Sequence, residues 1–442
     1  MTQADCLTEW PHEWDRKLDT DKIIDNAEVQ AISDWLIERG LRATDFETLI
    51  GGFCSRLVAA GVPLSRAYVS MRTLHPSVAA FDMLWRPGQD TQTSLFGYDA
   101  AGAMAWEKSP FFHMLKNDIP TLRRSLADPD EALEFSVLEE LRDQGLTDYF
   151  ARSIQFDVAN IQSHATGMVA SWSTDRSGGF EPGHLDTLNR LLPRLALSLD
   201  IGLAREIAVT VLDTYVGHES GLRILAGDIR PGMMDVLPAV IWLADLRGFT
   251  AVSDTMPRDK VGDMLNSYFE CMVEPVKARG GQVLKFLGDG LLATFDTHAH
   301  ESDGLCSQAL AAAVDAVERV RALNKERQAA DWPAMEIDIA LHLGDVLYGN
   351  VGAADRLDFT VIGPAVNEAS RIEALCTPLG HNILISEDFA KTARTCLGRL
   401  KSVGRHTLRG VSREQELFTI VGMDAEISTP EVRPVPPQPR PE

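Results

Sequence analysis

No stretch of this 442-residue chain approaches the roughly 18 consecutive apolar residues that a membrane-spanning helix needs. The opening Met1-Thr2-Gln3-Ala4-Asp5-Cys6 also lacks the basic-then-apolar order of a secretory signal. A cytoplasmic protein is the expectation. Cysteine is sparse and scattered: Cys6, Cys54, Cys271, Cys306, Cys376 and Cys396 form none of the close pairs of a zinc site or a disulfide framework. They read as ordinary core thiols. Positive charge is short as well, with 42 Lys and Arg against 64 Asp and Glu and a formal net charge of −22. Nucleic acid and anionic membrane are polyanions that need a basic footprint, so both are disfavoured as partners. A small phosphorylated ligand needs only local cations and stays open.

What is present is globular: 45% hydrophobic and 24% charged residues, on a chain longer than one hydrophobic core organises, which predicts two or three domains. In the first half, Thr44-Asp45-Phe46-Glu47 has the pattern of a capping box before an amphipathic run, and Ala67 to Met71 reads as a strand. Thr166 to Trp172 is a further strand, followed by a turn at Ser177-Gly178-Gly179. Leu188, Leu192, Leu195, Leu199, Leu203, Ile207 and Val211 then recur in steps of three and four, predicting a long connecting helix stopped near Gly217. From Ile427 onward the chain carries Pro430, Pro434, Pro436, Pro437, Pro439 and Pro441 and little to bury, which predicts a disordered tail.

Two acids stand out between these ends. Asp245 follows the apolar run Val240 to Ala244, Asp289 follows Gln282 to Leu287, and both sit beside glycines (Asp245-Leu246-Arg247-Gly248 and Gly288-Asp289-Gly290). An acid at the end of a buried strand is badly placed for packing and well placed to hold a divalent cation against a phosphate. Between them, Val261 to Val276 keeps helical spacing; after them come a second helix, roughly Leu305 to Leu323, and the strand Glu336 to Leu341. The order βαββαβ predicts a ferredoxin-like α/β domain with a mostly antiparallel sheet, behind a mixed α/β N-terminal domain. In that topology the first strand lies beside the hairpin tipped by Asp289, so the two acids become neighbours. Downstream, Phe359 to Arg371 reads as a strand, a Gly-Pro turn and a helix on which Asn367 and Arg371, four apart, share one face. Gly344-Asp345 and Gly349 to Gly352 read as a glycine-punctuated structural hairpin, His342 as a satisfied core histidine, and His298 and His300 as a solvated loop pair.

Together these residues resemble the catalytic domain of the class III adenylyl and guanylyl cyclases, with four motifs in family order over about 190 residues. The resemblance implies the following division: 1–200 a GAF-like sensor, 201–232 a connecting helix and transducer, 233–425 the catalytic domain, 426–442 the tail. It implies ATP cyclised to 3′,5′-cyclic AMP and pyrophosphate, with Mg²⁺ or Mn²⁺, two per site, held at Asp245, Leu246 and Asp289. Asn367 would orient the ribose and Arg371 would neutralise charge at the α-phosphate. Gly248, Phe249, Thr250 and Arg409 would take the outer phosphates. Lys285 and Thr360 occupy the family's base-reading positions: a Lys donates to an adenine ring nitrogen, and a Thr hydroxyl accepts from the exocyclic amine. ATP is thereby favoured over GTP. With one copy of the domain per chain, the family's head-to-tail arrangement implies a homodimer with two composite sites, and the N-terminal half implies regulation by a small molecule or a partner. Guanylate cyclase activity, or nucleotide binding without turnover, are the alternatives.

Overall fold

The computed structural model describes residues 25–42, 44–128, 132–156, 167–296, 302–353, 355–393, 398–411 and 413–422. The proline-rich segment 426–442, His298 and His300 lie outside the described residues, and so do Cys6 and Cys396. The chain divides into two compact units between Val211 and Leu212.

The first unit contains α1 (Asn26–Leu41), α2 (Phe46–Ala59), β1 (Arg66–Arg72), β2 (Ala80–Trp85), β3 (Gln92–Phe96), α3 (Ala100–Glu107), α4 (Pro110–Lys116), β4 (Thr121–Ser125), α5 (Ser136–Asp143), β5 (Asp148–Gln155), β6 (Gly167–Thr174) and most of α6 (Pro182–Tyr215). Its strands form one antiparallel sheet in the order β3-β2-β1-β6-β5-β4. Strand alternation sends Ala67, Val69 and Met71 into a core with α1, α2 and α6, and sends Tyr68, Tyr149 and Val169 toward α4 and α5 on the other face. The N-cap of α2 is Asp45 rather than Thr44: its carboxylate accepts from the Thr48 amide at 2.8 Å, while Glu47 turns away to accept from Thr93 Oγ1 at 2.7 Å. A carboxylate is the stronger acceptor of the two candidates, and the tertiary partner at Thr93 takes the Glu that a capping box would have used.

The second unit holds α7 (His218–Leu225), β7 (Met234–Leu246), α8 (Phe249–Thr255), α9 (Arg258–Ala278), β8 (Gln282–Leu287), β9 (Gly290–Asp296), α10 (Ser302–Ala329), β10 (Ile337–Ala353), β11 (Arg356–Ile362), α11 (Pro364–Glu373), α12 (Cys376–Leu379), β12 (Ile383–Ile385), α13 (Glu387–Thr392), β13 (Leu400–Thr407) and β14 (Glu414–Ile420). The sheet runs β13-β14-β12-β10-β7-β9-β8, with β11 also paired to β10. The four strands β10-β7-β9-β8, which end the sheet at β8, are the ferredoxin-like arrangement that the βαββαβ order predicts, and β7 pairs β9 directly. Even-numbered residues of β7 (Val240, Trp242, Ala244) pack under α9 and α10; odd-numbered ones (Ala239, Ile241, Leu243) pack under α11. The expected glycine hairpin at 344–352 is not a hairpin. β10 continues through it to Ala353, because Gly349 lets the strand run against Met233: a Cβ there would lie 2.1 Å from the Met233 carbonyl oxygen.

Candidate active site

Asp245 is the penultimate residue of β7, and its neighbours across the ladder are Asp338 on β10 and the Gly288-Asp289 turn that joins β8 to β9. The turn is a two-residue loop, since Leu287 pairs with Gly290, and Gly288 adopts the left-handed conformation that such a loop demands. Gly290 matters for a different reason. A Cβ on it would sit 3.2 Å from Asp245 Oδ1 and 3.3 Å from the Ala244 carbonyl oxygen, so a side chain there would crowd the Asp245 carboxylate and require a small shift. Burial raises the Asp245 carboxyl to about 6, with the charge of Asp289 as the second cause.

Two further acids share this edge, and neither follows from sequence spacing. Glu373, the last residue of α11, is raised to about 7 by burial first and then by Asp245, Asp338 and Asp289. Asp338 is ion-paired: Arg247 donates to it from both Nε and Nη2, Thr377 Oγ1 donates at 2.7 Å, and Arg247 Nη1 also reaches Glu336 at 2.7 Å. Arg247 is therefore committed to holding β7 to β10 and is not available to a ligand. The hydroxyl of Tyr268 on α9 is fully buried, makes no hydrogen bond among the described residues and feels the charges of Asp245 and Asp289. Asp338 becomes visible only through register, as the residue opposite Asp245, and Glu373 and Tyr268 only through helix packing.

Asp245 and Asp289 supply the hard oxygen that suits a small divalent cation, and their mutual repulsion gives them a reason to take one. Among the described residues no three His, Cys, Asp or Glu side chains are gathered closely enough to hold an ion alone. Main-chain oxygen at Leu246, substrate oxygen and water would complete the coordination, as is usual for Mg²⁺.

The remaining predicted residues divide into paired and unpaired groups. Lys285 on β8 donates to Asp358 Oδ2 on β11 at 2.7 Å, so the two strands meet through the expected base-reading lysine. Asp358 stands two before Thr360 on the same strand face, a signal available in the sequence and not used there. Thr360 is 3% exposed and its Oγ1 has no hydrogen-bond partner among the described residues. Asn367, Arg371 and Arg409 are exposed, and their side chains make no hydrogen bond or ion pair among the described residues. Arg409 and Gly410 form the turn between β13 and β14, with Gly410 in the left-handed region. Gly248, also left-handed, is the N-cap of the short helix α8, which Phe249 and Thr250 begin. The structure thus brings together Asp245 with Asp289, and Lys285 with the strand bearing Thr360. Asn367 and Arg371 stand apart on the solvent face of α11.

Residues 236–422 match the family model described as the adenylate and guanylate cyclase catalytic domain. An adenylate cyclase of Anabaena cylindrica is 36% identical over 168 residues, which take in 37% of this chain and 32% of that protein. Adenylate cyclase 1 of Rhizobium meliloti (strain 1021) is 28% identical over 190 residues, 42% of this chain and 28% of that protein. The matches thus span a third or less of these relatives' own length. The crystal structure of the adenylyl cyclase CyaB from P. aeruginosa aligns at 25% identity and a TM-score of 0.39, covering 42% of this chain and 95% of that one. Among the described residues no helix is long and apolar enough to cross a membrane.

Proposed function

We propose that this chain, whose residues 236–422 belong to the adenylate and guanylate cyclase catalytic domain family, is an adenylate cyclase that converts ATP to 3′,5′-cyclic AMP and pyrophosphate. The observation that carries the reading is the juxtaposition of Asp245 and Asp289 at the β8–β9 turn, with Gly290 leaving room beside the Asp245 carboxylate. Cyclisation requires the ribose 3′-hydroxyl to attack the α-phosphorus in line with departing pyrophosphate. Divalent cations bound at the two acids would lower the pKa of that hydroxyl and screen the leaving phosphates.

This chain's own side chains do the rest by position and charge. Arg371 meets charge growing on the α-phosphate and Asn367 orients the ribose; both are exposed and without other partners among the described residues, hence free to do so. Arg409, on its turn, and the amides of Gly248, Phe249 and Thr250 take the outer phosphates. Lys285 and Thr360 read adenine: the unpaired, buried Thr360 hydroxyl offers an acceptor to the exocyclic amine, and the pairing with Asp358 holds the Lys285 ammonium beside it.

Asn367 and Arg371 are proposed to serve the metal site of a second copy, in a homodimer with two composite sites. The N-terminal unit is read as a GAF-like sensor whose closing strand β6 leads through the Gly178-Gly179 turn into α6, the route by which an effector would reach the catalytic domain. One assay tests the activity. Purified protein with Mn²⁺ should form cyclic AMP from ATP, and less cyclic GMP from GTP; no cyclic product from either nucleotide would refute the cyclase reading, and a preference for GTP would refute the base assignment.

A further inference from the structure

Glu368 follows Asn367 on α11 and points the other way. The inward face of that helix is otherwise small and apolar: Ala365, Ala369 and Ile372 are buried, and the approach at its start is so close that a Cβ on Gly344 of β10 would lie 2.7 Å from the Ala365 Cβ. Such contacts set how deeply the helix sits and only coarsely its rotation, because apolar burial lacks the direction of a hydrogen bond. Glu368 supplies direction. Its Oε2 accepts from Gln415 Nε2 on β14 and lies 3.9 Å from His342 Nε2 on β10.

Both neighbours are deep in the domain, with His342 3% and Gln415 1% exposed. His342 Nδ1 and Gln415 Oε1 have no hydrogen-bond partner among the described residues, which corrects the expectation of a satisfied core histidine. Apolar side chains of the same shape would have avoided these unpaired groups. What the polar trio gains is a directional tie from α11 to β14, with the His342 ring of β10 beside it.

We infer that Glu368 is a positioning residue: seated between Gln415 and His342, it fixes the rotation of α11 about its axis and with it the aim of Asn367 and Arg371. A helix with its side chains is about 10–12 Å across, so a rotation of roughly 10° moves a side-chain tip by about 1 Å. Misplacement of that size costs up to about a hundredfold in rate.

The kinetic consequence rests on the cyclase reading, so the test has an arm that does not. Glu368→Ala and Glu368→Gln are compared with the wild type for kcat and KM with ATP and Mn²⁺, for thermal midpoint, and for hydrogen–deuterium exchange along Pro364–Glu373. The Ala variant should lose about tenfold to a hundredfold in kcat with KM within about twofold, and its α11 amides should exchange faster. The Gln variant keeps an oxygen for Gln415 to donate to and should recover most of kcat and the slow exchange. Unchanged kcat and exchange in the Ala variant would overturn the inference. So would a kcat loss matched by loss of folded protein and not recovered by Gln. A wild type without cyclase activity would refute the proposed function instead, and the exchange comparison would then decide on the anchor alone.

Discussion

At Asp245 burial and a like charge act in the same direction, and their sum has a measurable sign. The carboxyl ionises near 3.8 when free of its surroundings and at about 6 in the folded chain. Between those values the folded state binds the extra proton, so the stability this group contributes is fully present below pH 3.8 and is lost as the pH rises through about 6. Asp245→Asn should therefore raise the thermal midpoint in chelator at pH 7.5 and leave it nearly unchanged at pH 3.8. The same variant should lose cyclase activity by at least about a hundredfold, and Mn²⁺ should stabilise the wild type without stabilising the variant. Thermal scans with and without Mn²⁺ at the two pH values check this; a variant no more stable than the wild type in chelator at pH 7.5 would count against the crowded-carboxylate account. Asp245 and Asp289 were legible as site candidates because each interrupts an apolar run beside glycine. Asp358 was marked only by its place two before Thr360 on one strand, and its pairing with Lys285 is tertiary; Glu373 was not legible, since it is known only by where α11 ends.

The elements that hold the site depend on a few backbone positions. Gly349 has φ 153° and no space for a side chain, with the Met233 carbonyl oxygen 2.1 Å from where a Cβ would stand. Gly349→Ala should cost on the order of 3 kcal/mol, because backbone rather than a flexible side chain must give way. Urea denaturation of the full chain measures it, and a cost under about 1 kcal/mol would mean that β10 shifts freely at that point. The helices α9 and α10 and the strands β8 and β9 were readable from periodicity. The length of β10 was not, because three glycines between Ile337 and Ala353 (Gly344, Gly349 and Gly352) look like turns until the groups packed against them show why they are needed.

For the whole molecule the proposed dimer has its own test. If metal acids from one copy and Arg371 from the other make one site, Asp289→Ala and Arg371→Ala, each nearly inactive alone, should regain activity on mixing. With statistical pairing, about half the dimers are mixed and each keeps one intact site, so about a quarter of wild-type activity is the expected ceiling. Mixed dimers that form and stay inactive would mean that each chain completes its own site.

By itself the sequence determined the βαββαβ order of the second unit and the identity of the acidic pair, since periodicity and glycine placement are local properties. Tertiary structure decided which groups share a charge environment. Register set Asp338 opposite Asp245 and let Arg247 pair with it, helix packing carried Glu373 to the same edge, and strand proximity gave Lys285 to Asp358. Those pairings join residues up to 128 positions apart, as Glu373 is from Asp245, and electrostatic coupling depends on distance in space rather than along the chain.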